Sequence, residues 1–394
     1  MAETRKAPPS TRPPWHRDPI IRGYIYQVLL ILLVIGFGYF IFNNTLHNME
    51  KRNIKTGFSF LNSEAGFGIL FSLIEYNASF SYGRTFVVGL LNTILVSTLG
   101  IVFATTLGFV MGVSRLSTNW IVAKVAKYYV EIFRNIPLLI QIMFWYSVVV
   151  KLPSARNSIA IGDWFFLSNR GFYTPAPVFE EGFGAVTGAM VAAVIVVVFL
   201  ARWARKKQEL TGEQFPVFRV SLAILIFLPG IVFLVSGSPL SWSIPALKGF
   251  NFKGGASFIP ELMALLIALT VYTGTFIAET VRAGIQAVDH GQSEAAHALG
   301  LRQSFTIRLI IMPQALRVII PPLTSQYLNL TKNSSLATAI GYPDLVAVFA
   351  GTTLNQTGQA VEIIAMTMAV YLSLSLTISV FMNWYNKKIA LVER

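Results

Sequence analysis

Eight stretches of this chain are apolar over about 17 to 25 residues each, the length a helix needs to cross a hydrocarbon layer of about 30 Å. They run from Tyr24 to Phe42, Thr85 to Val113, Tyr128 to Val150, Ala185 to Ala201, Val220 to Ser236, Ile259 to Val281, Leu316 to Ser334 and Val361 to Trp384. Together they predict an all-α integral membrane protein of about eight spans. Pro321 and Pro322 fall early in the seventh, whose freed carbonyls then need neighbouring donors. Composition points the same way: 54% of the 394 residues are hydrophobic and 12% are charged, which excludes a soluble domain. A net charge of +13 does not point to nucleic acid, because the cations lie in short loops beside the apolar runs. With no cysteine, disulfides, thiolate metal sites and thiol nucleophiles are excluded.

Charge orients the chain. Counting Lys and Arg on alternate sides gives twenty on the side of the amino terminus and nine on the other, so the positive-inside rule places both termini in the cytoplasm. Residues 1–23 are basic and proline-rich and read as a disordered cytoplasmic tail. The run from Tyr24 is too long for a signal-peptide core and reads as a retained anchor. Residues 24–84 then form an accessory helix and an external loop, 85–150 a first block, 151–258 external loops with an inserted helix pair, 259–384 a second block, and 385–394 a cytoplasmic end. The external stretch NSIAIGDWFFLSNRGFYTPAPVFEEGF suits interfacial turns or short re-entrant pieces. The aliphatic inserted pair suits a peripheral position facing lipid.

Within the second block, the loop 283–315 is polar and falls inside. It carries Glu294-Ala295-Ala296, then three residues, Gly300, nine residues, Ile310, Ile311, Met312 and Pro313. Asp289 with Gln292 three residues on is a capping box for a short helix, and Gly300 supplies its stop. Leu299 and Leu301 beside Glu294 offer apolar contacts to a partner's groove. A helix lying on lipid headgroups is the competing reading.

The spacing resembles the cytoplasmic loop of ABC-importer permeases, departing only where Met312 stands in place of Leu. Around it, LLNTILVST, YYVEIFRNIPLLIQIMFWY, VYTGTFIAETVRAGIQAV and YLNLTKNSSLATAIGYPDL resemble permeases of polar amino-acid importers. The extra first span and inserted pair resemble the larger permease of general L-amino-acid importers. The resemblance implies a MetI-like core and import of L-amino acids across a bacterial inner membrane. It implies two ATPase subunits docked on Asp289, Glu294, Ala295, Ala296, Leu299, Gly300, Leu301 and Pro313, a second related permease, and a periplasmic amino-acid-binding protein. ATP and Mg belong to the ATPase, since this chain has no phosphate-binding loop; no cofactor is expected on the chain itself.

An amino acid carries a carboxylate and an ammonium, so a path through a low-dielectric core calls for inward polar groups. Lys332 lies ten residues past Pro322, with Asn329 and Asn333 on adjoining positions, and is either a substrate contact or one partner of a structural pair. Tyr272 and Thr275 share a face of span six, and Gln141 lies deep in span three. Glu131 with Arg134, and Glu279 with Arg282, are three apart and read as gate or structural ion pairs. Pro137 predicts a bend around Phe133. His16, His47, His290 and His297 are scattered and form no metal cluster; no nucleophile signature is present. A gradient-driven secondary transporter and a non-transporting scaffold are the alternatives, though neither accounts for the loop.

Overall fold

The computed structural model describes residues 19–51 and 56–389. Residues 1–18 of the expected tail and the last five residues of the carboxyl terminus lie outside the described part. Seven helices are long and apolar enough to cross a bilayer, eight when one bent pair is counted as a single span. In order they are α1 (Pro19–Lys51), α2 (Tyr82–Ser114), the bent pair α3 (Trp120–Asn135) and α4 (Leu138–Val150), α5 (Phe183–Thr211), α6 (Val217–Val235), α7 (Pro260–Gln286), then the short α8 (His290–Ala298) and α9 (Gln303–Thr306), α10 (Met312–Asn333), α11 (Leu354–Thr357) and α12 (Ala360–Ile389).

The core is built on α2 and α7. Without a hydrophobic drive between helices in lipid, close packing has to hold them, and small residues permit it. Gly108 and Gly112 supply it on α2: a Cβ added at Gly108 would sit 2.6 Å from Ile277 Cβ, and one at Gly112 2.7 Å from the Ala278 carbonyl. Around this seam Leu262, Leu265, Leu269, Ile277, Ile319 and Leu330 are fully enclosed, so α4 and α10 complete the cluster.

One expectation is corrected, that of the external segments, and two spans are seen in more detail. The third span bends where Pro137 predicts it: α3 and α4 meet at 108°, with Pro137 interrupting the backbone ladder between them. The prolines of the seventh span do not break it: α10 is continuous through Pro321 and Pro322. A π-helix at Ile307–Ile311 leads into it, a 3-10 turn at Ser334–Ile340 follows it, and a second π-helix lies further on at Val346–Thr353. The external segments are strands rather than turns or re-entrant pieces. β1 (Ile159–Ile161), β2 (Phe165–Ser168), β3 (Gly171–Thr174) and β8 (Ala256–Phe258) form one antiparallel sheet, while β4 (Ala176–Phe179) pairs with β5 (Leu240–Ser243) and β6 (Ala246–Lys248) with β7 (Asn251–Lys253). The aromatic-rich composition that reads as interfacial turns also suits short strands, which aromatic residues favour, and Tyr173, Phe252 and Phe166 pack as a small core there.

Helices α1 and α6 bury no residue of their apolar windows, and α5 packs on α6 through Ala189 and Ala193. The accessory helix and inserted pair therefore stand outside the core, the peripheral position expected of the aliphatic pair.

Candidate functional site

Two surfaces carry the chemistry, one at the end of the core and one at mid-depth. At the end lies α8, held by both of its caps. Asp289 Oδ1 accepts from the Gly291 amide at 2.7 Å. Gly300, at φ +72°, closes the helix: its amide donates to the His297 carbonyl at 2.9 Å and that of Leu301 to Ala296 at 3.1 Å, the paired bonds of a Schellman stop. The reciprocal half of the expected capping box is absent. Gln292 turns instead to Gln314 at the start of α10, 3.3 Å away, which ties α8 to the helix behind it.

The caps present one face outward. Ala296 points in and is buried, while Glu294, Ala295 and Leu299 are exposed, Leu299 to 80%. Glu294 receives the His290 ring at 3.0 Å. Leu301 is half-buried and Pro313 exposed. Beside α8 lies a cavity of about 660 Å³ bounded by Val113, Leu116, His297 and Met312.

At mid-depth the surface belongs to α10. Ile319, Ile320, Leu323 and Leu330 fix its inner face, and Leu330 meets Gly100 near the middle of α2. On the opposite face Val318, Pro321, Ser325, Asn329 and Lys332 recur every three or four residues and are exposed, so they form one stripe. Asn333 beside them is half-buried. Lys332 forms no ion pair among the described residues. Ser325 is a member of the stripe that the sequence reading missed; its four-residue spacing from Asn329 was the available signal.

The other sequence candidates are placed elsewhere. Thr275 is fully buried and donates to the Tyr272 carbonyl at 2.7 Å, and Tyr272 lies edge-on to Phe276; neither shares the α10 stripe. Gln141 is buried, and its amide donates to the carbonyls of Phe133 at 2.7 Å and Ile136 at 2.9 Å. It serves carbonyls at the turn that Pro137 interrupts, and so holds the bend. The expected Glu131–Arg134 pair does not form. Glu131 takes Lys127 at 3.4 Å, one turn back, and Arg134 lies over the Phe276 ring. Glu279 and Arg282 do pair, and Arg115 from the end of α2 joins them on the same carboxylate, a contact between helices that single-helix spacing does not reveal.

A buried polar knot also escaped the sequence. Asn92 Nδ2 donates to the Phe71 and Pro343 carbonyls at 2.9 and 2.8 Å, Tyr342 donates to the Asn92 carbonyl at 3.1 Å, and the Leu345 amide donates to Thr93 at 3.0 Å. Asp344, wholly enclosed, accepts from the Ala347 amide at 2.8 Å and caps the helical segment that follows. The knot fixes the turn beyond α10 to α2, and so holds the upper end of the stripe.

The model of the family described as binding-protein-dependent transport system inner membrane component matches residues 104–391. The chain is 54% identical to the permease protein YhdX of Escherichia coli (strain K12), over 96% of each. It is 51% identical to the general L-amino acid transport system permease protein AapQ of Rhizobium johnstonii, over 96% of this chain and 94% of that one. To the glutamate/glutamine/aspartate/asparagine transport system permease protein BztB of Rhodobacter capsulatus it is 42% identical, over 96% of each. A solved amino acid ABC transporter chain aligns with TM-score 0.45 at 20% identity, over 78% of this chain and 95% of its own.

Proposed function

The chain belongs to the family of binding-protein-dependent transport system inner membrane components, and from that membership we propose that it is a permease subunit of an ATP-driven importer of L-amino acids. Similarity to AapQ and BztB along nearly the whole chain supports amino acids as cargo. The observation that carries a transport role is the α10 stripe. A cation and an amide at mid-depth are costly against lipid, by roughly 2.5–3.5 kcal/mol for the cation alone. Asn329 and Lys332, with the Ser325 hydroxyl one turn before them, therefore face a water-filled path or a second permease, and Lys332 is the group that meets a substrate carboxylate.

Two ATPase subunits, which hold ATP and Mg, drive the assembly, and one docks on the exposed face of α8. A related permease completes the pair, with a heterodimer favoured, and a periplasmic amino-acid-binding protein delivers the substrate. ATPase closure pushes α8, whose bond to Gln314 passes the displacement to α10. The two states differ in the free energy of that docking, as any ligand-driven switch requires. This chain itself performs no catalysis.

The test is the purified assembly in proteoliposomes. Wild-type complex should hydrolyse ATP faster when loaded binding protein and amino acid are added. Glu294→Ala and Gly300→Val should abolish that stimulation or release the ATPase, with the permease still inserted. Stimulation and uptake at wild-type rates in both variants would overturn the docking assignment.

A further inference from the structure

The amphipathic helix α3 lies at the same end of the molecule as α8, since Val122 borders the cavity beside it. Its angle of 108° to α4 turns it off the axis of the following helix. Ile121, Val125, Tyr128 and Ile132, at four-, three- and four-residue steps, share one face and are each more than half exposed. Beside this stripe is a cavity of about 440 Å³ lined by Arg115, Trp120, Lys124, Lys127, Arg282 and Gln286. Four cations therefore surround a space that no acidic side chain lines. Glu279 draws on Arg115 and Arg282 from one side, and Glu131 takes Lys127 at its exposed edge. Lys124 has no acidic partner among the described residues. Its ammonium stands between two rings, 5.8 Å from the Trp120 centroid and 5.7 Å from that of Tyr128.

We propose that this cavity and the adjoining α3 stripe bind one anionic phospholipid, its phosphate among Lys124, Lys127 and Arg115 and an acyl chain along Ile121, Val125 and Ile132. The cations alone would accept any phosphate. The apolar face continuous with them selects an amphiphile, because each apolar side chain left facing water would forgo burial, and cations with aromatic rings beside an apolar helix face suit the headgroup boundary. The charge surplus selects an anionic headgroup over a zwitterionic one. A lipid seated there bridges α3 to the ends of α2 and α7, so the leaflet composition would bear on the same end of the core that α8 occupies. The inference does not depend on the cargo or on ATPase docking.

The experiment uses the intact assembly in detergent, with thermal unfolding and retained lipid phosphate as readouts. Mixed micelles of phosphatidylglycerol should raise the unfolding temperature of the wild type, and phosphatidylcholine should not. In Lys124→Gln/Lys127→Gln, apparent affinity for phosphatidylglycerol should fall roughly thirtyfold, given about 1 kcal/mol for each basic residue near an anionic surface. Lys124→Arg/Lys127→Arg should restore it. Equal responses to the two lipids, or an unchanged affinity in the glutamine variant, would overturn the proposal. An equal shift with inorganic phosphate alone would overturn the lipid assignment in favour of a free-anion site. A wild type insensitive to both lipids would show the stripe to be covered by the second permease, and would also overturn it.

Discussion

Lys332 is the residue at which the path reading stands or falls. It is exposed on a helix whose other face is fully packed, and no carboxylate of the described chain neutralises it. Lys332→Met keeps most of the length and the unbranched shape of the side chain and removes the charge, so a largely steric role would survive the change. Amino-acid uptake should then show a KM raised by roughly tenfold or more, the loss of a charge-assisted hydrogen bond worth about 1.5–3 kcal/mol, while the amount of assembled complex stays at the wild-type level. Unchanged uptake kinetics would remove Lys332 from the path. This residue was legible in the sequence because an ionisable group in an apolar run has few reasons to be there. Gln141 was legible only as a polar residue at depth. Its task depends on where Pro137 leaves the Phe133 carbonyl, which spacing along one helix does not reveal. Asp344 was quoted within a motif but not singled out, because its partners, Ala347 apart, include side chains on other elements.

The elements were read well where apolarity alone decides them and poorly where packing does. α2 and α12 contain their expected spans and α7 leaves out only Ile259; the bend between α3 and α4 was legible from Pro137, but the buried glutamine that satisfies its freed carbonyls was not. Of the strands between α4 and α5, β1 to β3 pair as local neighbours, but β3 also pairs with β8 and β4 with β5, both beyond α6, as Phe172 does with Phe258. Such pairing leaves little trace in local composition. The seam of α2 against α7 offers a direct test of how the core is held. Gly108→Ala places a methyl against Ile277 Cβ and the Gly274 carbonyl, where neither a rotamer change nor open space relieves it. Overpacking of this kind costs about 1–3 kcal/mol. The variant should unfold at a lower temperature and assemble in lower yield than the wild type. Gly184→Ala in α5, where an added Cβ meets nothing within 4 Å, is the matched control and should change neither quantity. Equal behaviour of the two variants would mean that close approach at Gly108 does not hold the core.

At the scale of the whole molecule, polarity follows from two facts of different kinds. β8 leads through Ile259 into α7, and α8 follows the other end of α7 after Asp289, so the strands and the α8 surface lie at opposite ends of a 27-residue helix. That helix is about 40 Å long at 1.5 Å per residue, enough to span the bilayer. The structure thus fixes which parts face apart, and the charge asymmetry predicts which part faces in. The inserted pair adds an independent check. α5 starts beside the strands and ends at Gly212, so the α5–α6 turn belongs to the same side as α8, together with Arg205, Lys206 and Lys207. Because the chain has no cysteine, a thiol introduced at Ser154, Gly212 or Ala298, all exposed, would be the only one in the protein. A membrane-impermeant maleimide added to spheroplasts should label Ser154→Cys alone, and permeabilisation should then expose Gly212→Cys. Ala298→Cys should follow once the ATPase is stripped from the membrane. Labelling of Gly212→Cys from outside would reverse the orientation, move α8 to the side without ATP, and remove the basis for an ATPase docked there.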